Sequence, residues 1–391
     1  MYLTILHAAQ PVDGGVARVV VDLVRGQRAA GHRVLLACPP GGLLAAEAAA
    51  AGAELLDWPY GRAPGPATAG EVRRLRRIVR TAEPDVLHLH SAKAGLAGRL
   101  AVRGSVPTVF QPHAWSFAAV EGAVAWATLR WERYAARWAH ALVCVSEQER
   151  ADGAAAGIAA AWRVVPNGVD LEHHVPCGAA DRRAARAGLG LAARPGPGSP
   201  ARRLPGRLCR QKGQDVLLDA WPRVAEAVPG AGLALVGGGP DEAVLAERVR
   251  ALPGPRRVLM AGGVGDPRPW LAAADLVVLP SRWEGMALAP LEAMAAARPV
   301  LLTDVPGARE CLPPGGAVPP VPPGDVAALA ERLVEELADP DACARRGGLA
   351  RAHVADRHDV RRTVEQVEAV YRGVLPARPS GRPDSRVPQG F

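Results

Sequence analysis

Short aliphatic runs alternate with amphipathic segments along most of this chain, and the alternation restricts the folds open to it. In Val72 to Val79, for example, the apolar side chains recur at helical spacing while arginines form the opposite face. The apolar runs of the first 170 residues are Tyr2 to His7, Arg33 to Ala37, Glu54 to Asp57, Asp85 to Leu89, Thr108 to Gln111, Ala141 to Val145 and Arg163 to Val165. The pattern predicts repeated βα units around a parallel sheet.

The second half of the chain repeats this rhythm. Its predicted elements are helix Val216 to Val228, strand Leu233 to Val236, helix Glu242 to Val249, strands Val258 to Ala261 and Leu276 to Leu279, a helix from Leu288, and strand Pro299 to Thr303. A length of 391 residues is about twice that of one compact domain. We therefore expect an α/β protein with two Rossmann-like lobes that face each other across a cleft.

The expected boundaries follow from shifts in composition. We expect an N-terminal lobe at residues 1–170, a linker at 171–205, a C-terminal lobe at 206–357, a C-terminal helix at 358–376 that returns to the N-terminal lobe, and a disordered tail at 377–391. Residues 195–205 are rich in Pro and Arg where the second lobe should open with a buried strand, and proline cannot donate to a central ladder. Either that strand is degraded or a reading-frame error has replaced it.

Composition describes a globular chain. Hydrophobic residues make up 49% and charged residues 22%, which argues against both a disordered protein and a membrane channel. The first residues lack a basic region and a cleavage site, so we expect a cytoplasmic protein. Six scattered cysteines without a CxxC pair predict structural thiols rather than disulfides or a zinc site.

The formal net charge of +8 favours an acidic partner, whether a phosphorylated ligand, a nucleic acid or an anionic membrane. Arginine abundance identifies none of them, because Lys93 and Lys212 are the only lysines among 47 basic residues. This bias is typical of a GC-rich genome.

The segment Ser281 to Glu292 follows an apolar strand, at the position where open α/β sheets bind ligands. Pro290 suits a first helical turn, which leaves the preceding amides free to bind a phosphate. Glu284 and Glu292 can face one pocket and accept hydrogen bonds from sugar hydroxyls. Spacing alone fits equally well an exposed glutamate and a glutamate favoured by the helix dipole.

Two further loops carry candidate phosphate ligands. Arg207 and Lys212 lie five residues apart before a helix and can clamp adjacent phosphates, although a basic surface loop would have the same sequence. Gly14 and Gly15 after the first strand would let a ligand approach the backbone closely, as would many ordinary βα turns.

Histidines also follow predicted strands. His88, His90 and His113 can donate to a phosphate or sugar oxygen if they face the cleft, and a structural role is the alternative for each. The run Gly237 to Gly239 lacks the third glycine and the acidic partner of a dinucleotide fingerprint, so an NAD site is not expected.

Together, the Gly-rich first turn, His113, Arg207 with Lys212, and two glutamates separated by seven residues resemble the retaining glycosyltransferases of the GT-B fold, family 4 (glycosyltransferase group 1). The segment Val165 to Asp170 is similar to the end of the first lobe in that family. The resemblance covers the chain to about Gly373. The sequence departs from the family before Gly206, and at Ala287, where many members have a second glycine.

The resemblance implies a donor site for a nucleotide-diphosphate sugar in the C-terminal lobe and an acceptor-side N-terminal lobe. It implies no metal ion and no cofactor besides this UDP- or GDP-sugar substrate. The implied roles are diphosphate binding for Arg207, Lys212 and Gly15, a place beside the base for Val264, ribose binding for Glu292, sugar binding for Glu284 and the amides of Gly285, Met286, Ala287 and Leu288, and proximity to the anomeric carbon for His113.

The acceptor side is similar to cell-surface polysaccharide transferases at Ser91 to Gly95 and His113 to Phe117, which implies a saccharide or lipid-linked acceptor and no nucleic acid. A stripe of Trp126, Arg130, Arg133 and Arg137 suits peripheral contact with an anionic membrane at the inner face of the plasma membrane. A half-buried helix with solvated arginines is the alternative.

Two other functions remain open from the sequence. One is an isomerase of the same architecture, such as a UDP-sugar 2-epimerase. The other is a catalytically silent scaffold, which the unusual residues 195–205 would explain.

Overall fold

The structure is a computed structural model that describes residues 2–59, 61, 65–191, 201–205 (backbone), 207–252, 258–315 and 318–376. The tail predicted at 377–391 and most of the Pro-rich stretch, residues 192–200, lie outside the described residues.

The N-terminal lobe contains a parallel sheet of seven strands with helices on both faces. Its strands are Thr4–Ala9 (β1), Arg33–Cys38 (β2), Glu54–Asp57 (β3), Val86–His90 (β4), Thr108–Gln111 (β5), Ala141–Cys144 (β6) and Trp162–Val164 (β7). Its helices are Gly15–Ala29 (α1), Gly42–Ala50 (α2), Thr68–Ala82 (α3), Ser91–Val102 (α4), Gly122–Ala135 (α5) and Glu147–Ala155 (α6). The seven predicted strands are confirmed, and their ends differ from the predicted ones by at most two residues.

The C-terminal lobe contains a parallel sheet of five strands. The strands are Ala201–Pro205 (β8), Gly232–Val236 (β9), Val258–Gly262 (β10), Leu276–Leu279 (β11) and Val300–Leu302 (β12). The helices are Ala179–Gly188 (α7), Gln214–Ala227 (α8), Glu242–Ala251 (α9), Arg268–Ala272 (α10), Leu288–Ala295 (α11), Ala308–Cys311 (α12), Val326–Ala338 (α13) and Pro340–Arg357 (α14), followed by Val360–Val374 (α15).

The strand order is the same in the middle of both sheets. The first sheet runs β3-β2-β1-β4-β5-β6-β7 and the second β10-β9-β8-β11-β12. In each, the first strand lies in the interior and the chain then extends the sheet first to one side and later to the other. This winding opens a crevice at the carboxyl ends of the two central strands, β1 and β4 or β8 and β11.

Strand β8 lies before Gly206, where the sequence indicated a degraded or replaced strand. It pairs in parallel with β9 over five residues and with β11 at Arg202 and Arg203. Pro205 ends the strand beyond its pairing with β11, so its missing N–H interrupts neither ladder in the middle. Helix α7 and strand β8 lie within the predicted linker at residues 171–205.

Helix α15 packs across α1 of the N-terminal lobe. A Cβ on Gly26 of α1 would lie 2.6 Å from Val364 Cγ2, so the two helices meet where α1 has no side chain. The backbone of Val169 pairs with that of Asp359 just before α15. One hydrophobic cluster includes Leu3 and Ile5 of the first lobe, Leu291 of the second and Val367 of α15. The lobes therefore share a core.

We expect Gly26→Ala to lower the free energy of unfolding by about 1–3 kcal/mol, because the added methyl group overpacks the α1–α15 contact. Urea denaturation measures this change. Gly348→Ala is the control: a Cβ there has no neighbour within 4 Å, and Gly348 lies inside α14. The control should be neutral or stabilising by up to about 1 kcal/mol. Equal losses in both variants would contradict the proposed close contact.

Candidate functional site

Two loops of the C-terminal lobe leave neighbouring strands and lie side by side. One follows β8 and the other follows β11, which pair with each other. The backbone N–H of Arg282 donates to Gln211 O at 2.7 Å, and its guanidinium forms two hydrogen bonds with the Asp215 carboxylate, at 2.8 and 2.7 Å. Gly213 has φ 65°, and a Cβ there would overlap Pro280 O. Glycine is required at this close approach.

This arrangement brings Lys212 to Glu284. Lys212 Nζ lies 2.6 Å from Glu284 Oε1, and the two side chains are 19% and 10% exposed. Gln211 Nε2 donates to the other carboxylate oxygen at 3.3 Å and to Trp283 O at 3.0 Å. The predicted diphosphate ligand and the predicted sugar ligand thus form an ion pair with each other.

Two other predicted residues of this lobe lie on loops that follow strands of the same sheet. Arg207 is exposed at the start of the β8 loop, where its carbonyl accepts from Gln214 Nε2 at 2.9 Å. Val264 is half-buried on the loop after β10. Both loops lie at the carboxyl edge of the sheet.

The loop before α11 touches the N-terminal lobe through Gly285. A Cβ on Gly285 would lie 3.1 Å from backbone atoms of both His113 and Ala114. Ser146 Oγ donates to Gly285 O at 3.1 Å, and Asn167 Nδ2 donates to Met286 O at 2.7 Å. His113 and the glutamate motif, distant in sequence, therefore meet across the cleft.

The N-terminus of α11 has no side-chain cap. Pro290 lies in its first turn, as predicted, and the four amides from Gly285 to Leu288 lie at the helix start. Ala287 has φ −71°, an ordinary value for any residue. The backbone therefore does not need a glycine at 287, and the departure from the family there carries no conformational cost.

Glu292 projects into a cavity of about 280 Å³ between the lobes. Arg18, Asp22 and Asp170 line the same cavity from the N-terminal side. Burial raises the pKa of Asp22 to about 7, opposed by Arg25 and Arg18, and burial also raises the pKa of Glu292. Grouped carboxylates of this kind can accept hydrogen bonds from sugar hydroxyls.

Gly15 begins α1 at the carboxyl end of β1. Gly14 has φ 85°, and a Cβ on either glycine would meet no atom within 4 Å. The start of α1 has no side-chain cap, and the positive end of a helix dipole favours an anionic ligand.

The three histidines have different environments. His113 has φ 59° and is followed by Ala114 with φ 129°. These backbone conformations are sparsely populated, persist only where the surrounding structure holds them, and are frequent at active sites. Its Nε2 lies 3.1 Å from His90 Nδ1. His88 is a candidate ligand that the structure places away from the cleft. It is fully buried, and its Nδ1 lies 2.7 Å from the Tyr371 hydroxyl of α15.

Glu149 is a site residue that the sequence interpretation missed. Its carboxylate accepts from Val145 N at 2.7 Å, and its own N–H donates to Ser146 Oγ at 3.1 Å. Burial raises the pKa of Glu149 to about 7, opposed by hydrogen bonds from the backbones of Val145 and Ala114. The spacing of Ser146 and Glu149 is that of a capping box, which is the signal that could have revealed it.

Lys93, in the Ser91 to Gly95 segment, is 5% exposed and pairs with Glu71 at 2.7 Å inside the N-terminal lobe. The predicted stripe of Trp126, Arg130, Arg133 and Arg137 is exposed, and Arg133 Nε donates to Ala156 O at 2.6 Å. On this surface Arg130 lies over the Trp126 ring and Arg137 over the Tyr134 ring.

None of the helices in the described residues combines the length and apolar character needed to cross a bilayer. The six cysteines are free thiols, and four of them are buried, as expected.

Two family descriptions match the chain. "Glycosyltransferase Family 4" matches residues 13–173 and "Glycosyl transferases group 1" matches residues 204–339. The two matches cover about three quarters of the chain and fall on the two lobes.

Curated relatives are also glycosyltransferases. The chain is 34% identical over 197 residues to the GDP-mannose-dependent monoacylated alpha-(1-6)-phosphatidylinositol monomannoside mannosyltransferase of Corynebacterium glutamicum, covering 49% of this chain and 50% of that one. It is 26% identical over 327 residues to the putative glycosyltransferase EpsD of Bacillus subtilis, covering 81% and 84%. In several matches, including the first, the chain spans about half the relative's length.

Among solved structures, that of Anabaena Alr3699/HepE in complex with UDP-glucose has a TM-score of 0.82 at 23% identity, covering 95% of this chain and 100% of that one. This likeness confirms the predicted fold class. The fold and the two family matches together show that the chain belongs to the GT-B glycosyltransferases of group 1, with a family 4 N-terminal lobe.

Proposed function

We propose that this protein transfers a sugar, with retention of configuration, from a UDP- or GDP-sugar to a saccharide or lipid-linked acceptor in cell-surface polysaccharide or glycoconjugate synthesis. The observation that carries the proposal is the contact of Gly285 with His113 and Ala114 beside the Lys212–Glu284 pair. It joins the donor-side motif of one lobe to the histidine loop of the other.

The positive groups of the C-terminal lobe suit a leaving diphosphate. Lys212 and Arg207 supply charge, and the backbone from Gly285 to Leu288 leads into a helix whose start has no side-chain cap. Fixed cations and helix amides stabilise negative charge that develops on a leaving oxygen, each by about 3 kcal/mol. When a diphosphate binds, Lys212 exchanges the Glu284 carboxylate for phosphate oxygens, and Glu284 becomes free to accept from a sugar hydroxyl.

The remaining donor groups have separate roles in this proposal. Glu292 binds the ribose, Val264 lies by the base, and Gly15 approaches the diphosphate from the N-terminal lobe. His113 lies beside the anomeric carbon. The acceptor oxygen attacks from the face that the diphosphate leaves: its bond to the anomeric carbon forms as the carbon–phosphate oxygen bond breaks, and its proton passes to the leaving phosphate.

The named relatives support a nucleotide-sugar donor without deciding its base. The Corynebacterium glutamicum relative is described as GDP-mannose-dependent and acting on a phosphatidylinositol monomannoside, whereas the Anabaena structure holds UDP-glucose. We extend to this chain the shared chemistry, a sugar on a nucleoside diphosphate. The diphosphate sugar is a substrate, and the proposal includes no further cofactor.

Incubation with UDP-glucose, GDP-mannose and UDP-N-acetylglucosamine tests the proposal, with released UDP or GDP measured in the presence and absence of acceptor. Acceptor-dependent nucleotide release with an α-linked product from an α-linked donor is expected. Release of an epimer without acceptor would favour the isomerase, and silence with every donor would favour a scaffold.

We expect Lys212→Ala to lower kcat/KM by about 100-fold with little change in Tm, because Lys212 contacts the phosphate and is a partly exposed loop residue. Arg210→Ala is the matched control, since Arg210 is a cation two residues away whose side chain is 69% exposed. It should keep activity within about twofold. A loss of Tm that parallels the loss of activity, or an equal effect of Arg210→Ala, would contradict the role of Lys212.

We expect sugar transfer to continue unchanged in excess EDTA, because Lys212, Arg207 and the helix amides supply the positive charge that a divalent ion supplies in other transferases. Initial rates with EDTA, and after Mg²⁺ or Mn²⁺ is added back in excess, measure this. A metal-dependent glycosyltransferase in the same buffer shows that the chelation is effective. An absolute requirement for either ion would refute the cationic clamp.

We further propose that α5 rests on the anionic surface of a membrane, at its cytoplasmic face. Val124 and Trp126 are 60% and 62% exposed, and Tyr134 is 48% exposed. The guanidinium carbons of Arg130 and Arg137 lie 4.8 and 3.8 Å from the ring centroids of Trp126 and Tyr134. Exposed aromatic rings with adjacent arginines match the polar and apolar layers of an anionic interface.

We expect the full chain to co-sediment with phosphatidylglycerol vesicles and much less with phosphatidylcholine vesicles. Arg130→Gln with Arg137→Gln should weaken binding by about fivefold per arginine, and Trp126→Ser should weaken it without reducing the preference for anionic lipid. Val244→Ser is the control, because Val244 is 61% exposed on α9 of the other lobe. Unchanged binding in the α5 variants would exclude this surface.

A further inference from the structure

A chain of hydrogen-bonded side chains runs through the interior of the N-terminal lobe and ends at His113. Gln27 Oε1 on α1 lies 2.8 Å from His7 Nε2 on β1, and His7 Nδ1 lies 2.9 Å from His90 Nε2 on β4. His90 Nδ1 lies 3.1 Å from His113 Nε2. At the other end, Gln27 Nε2 donates to the Tyr371 hydroxyl at 3.3 Å.

Burial keeps these rings neutral. Gln27, His7, His90 and Tyr371 are 0% exposed. Burial lowers the pKa of His7 to about 4 and that of His113 to about 3, and it lowers the pKa of His90 well below its usual value. A neutral imidazole has one N–H donor and one lone pair. The direction of each hydrogen bond in this series therefore determines which partner donates in the next one.

The direction of the chain follows from the Gln27 amide. Its Nε2 donates to the Tyr371 hydroxyl oxygen, which also lies 2.7 Å from His88 Nδ1. The amide is thereby oriented with its oxygen, which only accepts, towards His7.

The orientation of the Gln27 amide then determines which nitrogen carries the proton on each histidine ring. His7 carries its proton on Nε2 and presents a lone pair on Nδ1. His90 must donate from Nε2 to that lone pair, which leaves His90 Nδ1 as an acceptor. His113 must donate from its own Nε2, so its Nδ1 holds a lone pair outside the chain.

We propose that Gln27, His7 and His90 are positioning residues that fix His113 in the Nε2–H tautomer, with Nδ1 left to accept a hydrogen bond from a hydroxyl of the donor sugar. The inference rests on the proposed function, because the contact of His113 with a sugar belongs to that proposal. It adds that His113 acts as a hydrogen-bond acceptor from sugar rather than a donor to phosphate.

A metal ion is the competing occupant of this cluster, because ligand atoms of His7, His88 and His90 lie within 4.8 Å of one another. The hydrogen bonds oppose it, since both ring nitrogens of His7 and of His90 already have partners. A metal ion would have to break the bond between His7 and His90.

The tautomers can be measured directly. Histidine labelled with ¹⁵N in the full chain, with signals assigned by single His→Gln variants, gives long-range proton–nitrogen correlation spectra that distinguish the two neutral tautomers. The expected result is the Nε2–H form at His7, His90 and His113. An Nδ1–H form at His113, or loss of these signals when ZnCl₂ is added at one equivalent, would overturn the inference.

Variants at Gln27 separate positioning from packing. Gln27→Met removes the acceptor, so His113 should become a mixture of tautomers and kcat should fall by about tenfold with a smaller change in KM. Gln27→Glu keeps an acceptor towards His7 and should keep the Nε2–H form and most of kcat. Tyr371→Phe should also give a mixture of His113 tautomers, because it removes the hydroxyl that orients the Gln27 amide. This variant provides the test if Gln27→Met does not fold.

Val24→Ala is the control for lost stability, since Val24 is 0% exposed on the same helix and has no polar link to the chain. It should keep the His113 tautomer and kcat. An unchanged tautomer in both Gln27→Met and Tyr371→Phe would refute the inference. If the wild-type protein transfers no sugar at all, the proposed function fails. The tautomer spectra still decide whether the hydrogen-bonded side chains fix the tautomer of His113.

Discussion

The candidate site depends on a constraint of parallel sheets: every strand delivers its following loop to the same edge. With β1 next to β4 and β8 next to β11, the two places where the winding changes direction contribute the site. Gly15, the Lys212 loop and the Glu284 loop lie at these strand ends, and His113 follows the neighbouring strand β5. The residues are brought together by strand order, so their separation along the chain does not matter.

Both lobes contribute residues to the site, and contacts between the lobes hold these residues in place. Asn167 and Ser146 bind the backbone of the Glu284 loop, and α15 carries Tyr371 back to the buried histidines of the first lobe. The Glu149 carboxylate accepts hydrogen bonds from the backbone of Val145 and Ala114, two residues that lie close to Gly285. A change in how the lobes pack would therefore alter the position of His113 relative to the donor groups, which links the shared core to the chemistry.

Much of the fold was predictable because parallel strands are short, apolar and separated by helices with clear periodicity. Strand β8 was not, since Arg203 and Pro205 oppose a strand locally and only the pairing needs of β9 and β11 override that preference. The site motifs were predictable from glycine, proline and charge at fixed spacings. Their partners were not: the Lys212–Glu284 pair, the burial of Lys93 and the orientation of His88 depend on which side chains meet after folding.

A crystal structure of the protein soaked with UDP and with GDP tests the central claim most directly. The account predicts diphosphate density in the crevice within hydrogen-bonding distance of Lys212 Nζ, the Arg207 guanidinium and the amides at the start of α11, with the Lys212–Glu284 contact broken. An empty crevice with that ion pair intact, or a nucleotide bound at another surface with Arg207 and Lys212 turned to solvent, would contradict it.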